Sequence, residues 1–281
     1  MLHFNIKHST TYLYSNAVWD IKNQIKTYPI EDERQKVFSH LLSITENPII
    51  TINKDAFGNK FGSFTVDGPT NYLNITSTFD IETVEQNVME KVKAIQHNWD
   101  EVFLVSMDKT LQVFLHEQGH IDNYEIKNLI STFNIAGKDT LDVILEFNSY
   151  INLNFKYMPG ITNIDTPISV VWGMKAGVCQ DFALILIEML RTVNIPARYM
   201  SGYICPNNNG MKGDAGSHAW VEAYLPNYGW LGVDPTNNCL AEEKHVRVAF
   251  GRNYDDVSPI KGQYRGNAFA NMEVKVEVGY H

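Results

Sequence analysis

The stretch Gly177-Val178-Cys179-Gln180-Asp181-Phe182-Ala183-Leu184-Ile185-Leu186-Ile187-Glu188-Met189-Leu190-Arg191-Thr192-Val193 decides how this chain is read. Phe182 to Val193 is apolar nearly all round, which predicts a helix buried at the centre of a domain rather than one lying on its surface. It stops at Asn194, with Pro196 just beyond, a normal C-terminal signal. Cys179 therefore sits where the loop 173–178 turns into that helix. Unpaired N–H groups and the positive end of the helix dipole stabilise a thiolate there. Cysteines so placed have pKa values of roughly 3.5–7.5 instead of about 8.5. The same N–H groups can donate to the oxyanion that forms when a carbonyl is attacked. A lone cysteine is as readily a small buried apolar residue, so its partners carry the argument.

Three strands are predicted downstream, from Ala197 to Ile204, Ser217 to Tyr224 and Trp230 to Asp234. Pro226-Asn227-Tyr228-Gly229 reads as a tight turn joining the last two into an antiparallel hairpin. With the register centred on Pro226, His218 faces Asp234 on one side of the sheet, their Cβ atoms roughly 5 Å apart. The same register sets Trp220 opposite Gly232. A carboxylate beside an imidazole fixes its tautomer and leaves the other ring nitrogen for the thiol. Singly, His218 reads as well as a histidine satisfied by backbone, and Asp234 as a turn carboxylate ahead of Pro235. In the order helix-start Cys, strand His, strand-end Asp, they point to a nucleophile, a general base and an orienting carboxylate.

Outward from this centre, residues 1 to about 85 read as strands. Phe4 to Tyr14, Val37 to Ile44 and Tyr72 to Phe79 are rich in β-formers, and Asp55-Ala56-Phe57-Gly58-Asn59 is a turn between them. From 86 to 157 the period becomes helical, with Val88, Val92 and Ile95 on one stripe and Leu141, Ile144, Leu145 and Tyr150 on another. Thr166-Pro167 reads as the cap and first residue of a short helix through Trp172. Glu273 to Val278 alternates as a half-exposed final strand. The expected fold class is α+β: an antiparallel β-sandwich-like N-terminal domain over 1–85, then a catalytic domain over 86–281.

The chain has 281 residues, 44% hydrophobic and 20% charged, the composition of an ordinary globular protein. A formal charge of -9 argues against a nucleic-acid partner, because phosphate binding needs a basic surface. No stretch is long and apolar enough to span a bilayer. Met1 to Lys7 holds no signal-peptide core, so the sequence as written reads as cytoplasmic. Three scattered cysteines, Cys179, Cys205 and Cys239, form no disulfide framework. Cys205 and Cys239 lie in loops without a helix start or histidine nearby, and ordinary thiol reactivity is expected of both.

Four segments resemble the transglutaminase-like cysteine peptidase superfamily, which shares its catalytic core with papain-type proteases. They are Gly177 to Ala183, Ile195-Pro196-Ala197-Arg198-Tyr199-Met200-Ser201-Gly202-Tyr203, Ser217-His218-Ala219-Trp220-Val221-Glu222 and Val233-Asp234-Pro235-Thr236. Gly251 to Pro259 resembles a further motif of the bacterial branch, whose usual residue at Asn253 is Asp; that departure lies outside the triad. The first eighty-odd residues, notably Asp55 to Asn59, look like the β-rich region common in that branch. The resemblance implies a papain-like core in which Cys179 is the nucleophile, His218 the general base and acid, and Asp234 the orienting carboxylate. It implies a thiol-dependent hydrolase of peptide or amide bonds working through a thioester, or a transglutaminase passing the acyl group to an amine. A peptide or protein substrate is the expected partner. No oxygen-rich Asp-x-Asp-x-Asp-Gly loop is present, so no calcium, and no other cofactor or metal, is expected.

Three other readings compete. His116-Glu117-Gln118-Gly119-His120 spells the H-E-x-x-H pattern of zinc proteases, but Gly119 and Asp122-Asn123 end any helix inside it. Cys179, His218 and Asp234 are also legal metal ligands, though no two are close in sequence. A partner-binding module with idle chemistry is the third, and an intact triad weighs against it. Arg252 and Asp255 either line the cleft or form a loop-anchoring ion pair.

Overall fold

The computed structural model describes residues 1–116, 123–205, 212 and 216–280. Its N-terminal part is five strands: β1 (Leu2–Ile25), β2 (Gln35–Ile44), β3 (Thr51–Lys54), β4 (Lys60–Val66) and β5 (Thr70–Thr83). β1 is long enough to serve two sets of partners. Its first half pairs β5 from Leu2↔Thr83 to Leu13↔Tyr72, and its second half pairs β4 from Ile21↔Val66 to Ile25↔Gly62. Between the two, the β1–β5 register shifts and Asp20 takes a left-handed φ of 50°. A bulge of this kind bends a strand and raises its twist, so the sheet curls.

Helices follow: α1 (Val88–Lys93), α2 (Trp99–Ser106), α3 (Lys109–Gln112), α4 (Asn123–Ser131) and α5 (Thr140–Asn154). Asp139 caps α5 by accepting from the Leu141 N–H at 2.8 Å, which satisfies one donor left open at a helix start. Two-residue strands β6 (Lys156–Tyr157) and β7 (Ala176–Gly177) flank α6 (Ile168–Met174) and lead into α7 (Cys179–Thr192). α6 is capped by Pro167, one residue later than the Thr166 cap expected from sequence.

Behind α7 stands an antiparallel sheet in the order β11-β10-β9-β8-β12. These are β8 (Ala197–Ile204), β9 (Ser217–Leu225), β10 (Gly229–Asp234), β11 (Cys239–Leu240) and β12 (His245–Gly251). α7 is buried on nearly every side, as its composition predicts, and Ala219, Val221, Ala223 and Leu225 of β9 share its core cluster. Even Arg191 is enclosed. Its guanidinium donates to the carbonyls of Phe114, His116, Ala197 and Arg252, tying the end of α7 to two loops and the start of β8.

After α8 (Tyr254–Val257), β13 (Ile260–Arg265) and β14 (Ala270–Tyr280) return to the N-terminal sheet, both against β1. The division at residue 85 thus does not follow the sheets. A buried charge cluster joins the two sheets: Glu222 of β9 meets Arg198, Arg247 and Arg34. The architecture is the expected α+β one. Among the described residues no helix is long and apolar enough to cross a membrane.

Candidate active site

Cys179 is the first residue of α7, half-buried, with Val178 as the cap residue. Asp181 makes that start possible. Its Oδ2 accepts from the Val178 N–H at 2.8 Å and from the Thr162 hydroxyl at 2.7 Å. Burial, opposed by those two bonds, raises its pKa. Gly177 is required beside it, because a Cβ there would lie 2.6 Å from the Asp181 Oδ2.

His218 and Asp234 are both fully buried, and the His218 Nε2 stands 2.9 Å from the Asp234 Oδ2. They meet although the predicted register does not hold. The hairpin pairs Leu225 with Gly229 and Glu222 with Gly232, a shift of two residues from one centred on Pro226. The loop is centred instead on Asn227, which takes a left-handed φ of 63°, as Gly229 does at 97°. Successive side chains alternate between the faces of a strand, so a two-residue shift leaves His218 and Asp234 on one face, diagonal rather than opposite. The glycine beneath Trp220 is accordingly not Gly232. It is Gly202 of β8, where a Cβ would lie 2.7 Å from the indole Cη2.

Asp234 is held by five donors. Oδ2 accepts from His218, from the Asn237 amide at 2.8 Å and from His245 Nε2 at 3.2 Å. Oδ1 accepts the backbone N–H of Thr236 at 2.8 Å and of Asn237 at 3.2 Å. Burial alone would raise its pKa; the adjacent imidazoles outweigh that and drive it far down, so it is ionised. The reverse holds for His218. Burial would lower its pKa, but Asp234 and then Cys179 raise it well above the ordinary value of 6.5. With Nε2 committed to Asp234, the buried Nδ1 has no hydrogen-bond partner among the described residues, and Cys179 acts on the ring electrostatically. The Trp220 ring stacks at 6.1 Å on one side of the imidazole.

The structure thus gathers Cys179, His218 and Asp234, the three residues the sequence singled out, and adds His245, Asn237 and Trp220. Trp220 was visible as a same-face neighbour of His218. Asn237 follows the Asx turn that Asp234 makes with the Thr236 N–H, and His245 carried no signal. His218, Asp234 and His245 also form a group whose ligand atoms lie within 4.8 Å of one another. That donor set suits a divalent metal in kind, but hydrogen bonding already accounts for the convergence on Oδ2. Cys179 is not part of that group.

Other expectations fare differently. Of the H-E-x-x-H stretch, Glu117 to His120 lie outside the described residues, and the His116 carbonyl accepts from Arg191 at 3.0 Å. Arg252 pairs with Asp256 at 2.8 Å and Asp255 with Lys261 at 3.3 Å, both at the exposed surface. Cys205 and Cys239 are not ordinary thiols, because burial pushes the pKa of each up to about 12.

The transglutaminase-like superfamily model matches residues 131–235, and that of the bacterial transglutaminase-like N-terminal region matches residues 4–82. An uncharacterised protein of Mycobacterium leprae is 27% identical over 285 residues, 99% of each chain. A protein-glutamine gamma-glutamyltransferase of Pseudomonas aeruginosa is 34% identical over 93 residues, 30% of this chain and 13% of that one. Among solved structures, a Cytophaga hutchinsonii protein proposed to be a cysteine protease superposes with a TM-score of 0.77. It is 23% identical, over 99% of this chain and 90% of that one, and shares the fold.

Proposed function

We infer that this chain, an enzyme that belongs to the transglutaminase-like superfamily, is a thiol-dependent hydrolase of peptide or amide bonds acting through Cys179, His218 and Asp234. One observation carries the reading: a thiol at a helix start beside an imidazole whose far nitrogen is fixed by a buried carboxylate. The Cys179 proton moves to His218 Nδ1, and the thiolate adds to the carbonyl carbon. Helix-start N–H groups favour the oxyanion that results. As the C–N bond breaks, His218 gives the proton to the departing amine, leaving a thioester on Cys179. Water, deprotonated by His218, then attacks the thioester, releasing the acid and restoring the thiol. Asp234 stays ionised throughout and stabilises the imidazolium.

A second reading has a primary amine take the place of that water. It is favoured by the Pseudomonas aeruginosa relative, whose matching segment spans about a third of this chain. Both share the thioester. The reading is tested by treating the native protein with limiting iodoacetamide near pH 6 and mapping the adducts. Cys179 is expected to label first and to slow in His218→Ala; faster labelling of Cys205 or Cys239 refutes the activated thiol. A glutamine-rich protein incubated with a fluorescent primary amine then separates the two fates. Incorporated label marks amine transfer, and new fragments without label mark hydrolysis.

A further inference from the structure

We infer that His245 is a positioning residue: it shares the Oδ2 oxygen of Asp234 with His218, and so sets how strongly that carboxylate holds the His218 proton. The inference rests on the reading of Cys179, His218 and Asp234 given above. His245 opens β12, and its side chain is buried, with Nε2 3.2 Å from the Asp234 Oδ2. An ionised carboxylate only accepts, so the proton of a neutral His245 lies on Nε2. Imidazolium carries one there too, and the donor persists across the working pH range.

Nothing else in the surroundings accounts for that orientation. The ring packs edge-on against Trp220 at 5.1 Å. Its Nδ1 is buried without a partner, and His245 and Trp220 both line a cavity of about 20 Å³ between the two sheets, room for about one water molecule. Among the described residues, the only hydrogen bond of the side chain goes to the carboxylate that orients His218.

The consequence concerns charge. Three donors converge on Oδ2, and each draws negative charge toward itself. Removing the His245 donor leaves more of that charge facing His218, which then keeps its proton to higher pH. Other ionisable groups near His245 and Asp234 among the described residues include Glu222, ion-paired with Arg34 and Arg247, the Glu242, Glu243 and Lys244 that precede β12, and Cys239, which Asp234 acts on. The variants below leave all of them in place, so their field is common to every measurement.

The test measures the rate of Cys179 alkylation by iodoacetamide between about pH 4 and 12 in the unaltered chain, His245→Gln and His245→Leu. Glutamine places an amide N–H near the position of Nε2, whereas leucine offers none. The upper inflection of the profile reports loss of the His218 proton. It is expected to rise by about half to one unit in His245→Leu and to return to within about 0.3 unit in His245→Gln. An inflection unmoved in His245→Leu, or moved equally in both variants, overturns the inference while leaving the activated thiol standing. If the leucine variant fails to fold by circular dichroism, ¹⁵N-histidine NMR of the unaltered chain decides: an unprotonated His245 Nε2 overturns the inference. Should Cys179 not be the first thiol alkylated in the unaltered chain, the reading of the triad fails, and the NMR measurement still judges His245.

Discussion

Replacing Asp234 by Asn tests the electrostatic core of the proposal. The amide keeps the shape of the carboxylate and can still accept from Thr236 and Asn237, but its charge is gone. The charge centres of the pair lie roughly 4 Å apart, and at an effective dielectric of about 20 their attraction is worth about 4 kcal/mol. At about 1.4 kcal/mol per unit, that is on the order of 3 units of His218 pKa. With the carboxylate present, attraction outweighs burial and the imidazole is protonated well above its ordinary range. Without it the charge-assisted hydrogen bond at Nε2 is lost as well, worth about 1.5–3 kcal/mol or roughly 1–2 further units, so burial dominates and His218 falls below that range. Near pH 6 the imidazole is then neutral and the proton stays on sulfur, so the reactive thiolate is scarce. Alkylation by limiting iodoacetamide at that pH should slow by about 100-fold, and the deficit should shrink toward pH 9 as solvent deprotonates the thiol. A rate within threefold of the parent near pH 6 refutes the argument. So does a deficit that stays constant with pH, which would mark misplacement of the ring rather than loss of charge.

Glu222→Gln should lower stability to urea by about 3–5 kcal/mol, because it strands Arg198, Arg247 and Arg34 around a neutral amide. Cys179 labelling of the folded fraction should hold within about twofold, and an unmoved midpoint counts against the buried network. Gly177→Ala should push Asp181 off the Val178 N–H and slow Cys179 labelling by about tenfold, at a stability loss of about 1–3 kcal/mol. Equal labelling in the two chains would show that Asp181 does not define the helix start. His8 is buried between Tyr203 and Thr10, and burial lowers its pKa from 6.5 to about 4. Its contribution is therefore complete above about pH 6.5 and lost as pH falls toward 4, by up to about 3 kcal/mol. Thermal unfolding at pH 7 and 4.5 should show a smaller acid loss in His8→Gln than in the parent; identical losses would assign the acid sensitivity elsewhere.

The buried helix and its first residue were legible because they are local: an apolar run of helical length, an Asn-Pro stop, a cysteine at the opposite end. The hairpin was legible in parity but not in register. Alternation fixes which face a side chain takes, whereas the register depends on which loop residue accepts a left-handed φ, and here that is Asn227 rather than a centre at Pro226. What escaped is what depends on distant pairing. Glu273 to Val278 announced a strand but not that Val276 would lie beside His8, with the whole chain between them. Cys205 read as a loop thiol because nothing local says that its N–H will meet the distant Lys244 carbonyl, which accepts it at 2.9 Å. His245 belongs to the same class, a histidine in an apolar strand whose partner lies on a different strand of the sheet.

The substitutions at Asp234 and His245 are expected to move one group in opposite directions, and that opposition separates electrostatic control from damage. Losing the carboxylate removes the pull on the His218 proton; losing the second imidazole strengthens it. Damage to packing has no reason to change sign, since both side chains are buried in the same region and both contact Oδ2 or carry it. The double variant sharpens the point. If His245 acts on His218 only through the charge of Asp234, then His245→Leu should add no further shift once Asp234 is Asn, so that the two effects are strongly non-additive. Additive shifts would mean that His245 reaches His218 by another route, through Trp220, whose ring lies against both imidazoles.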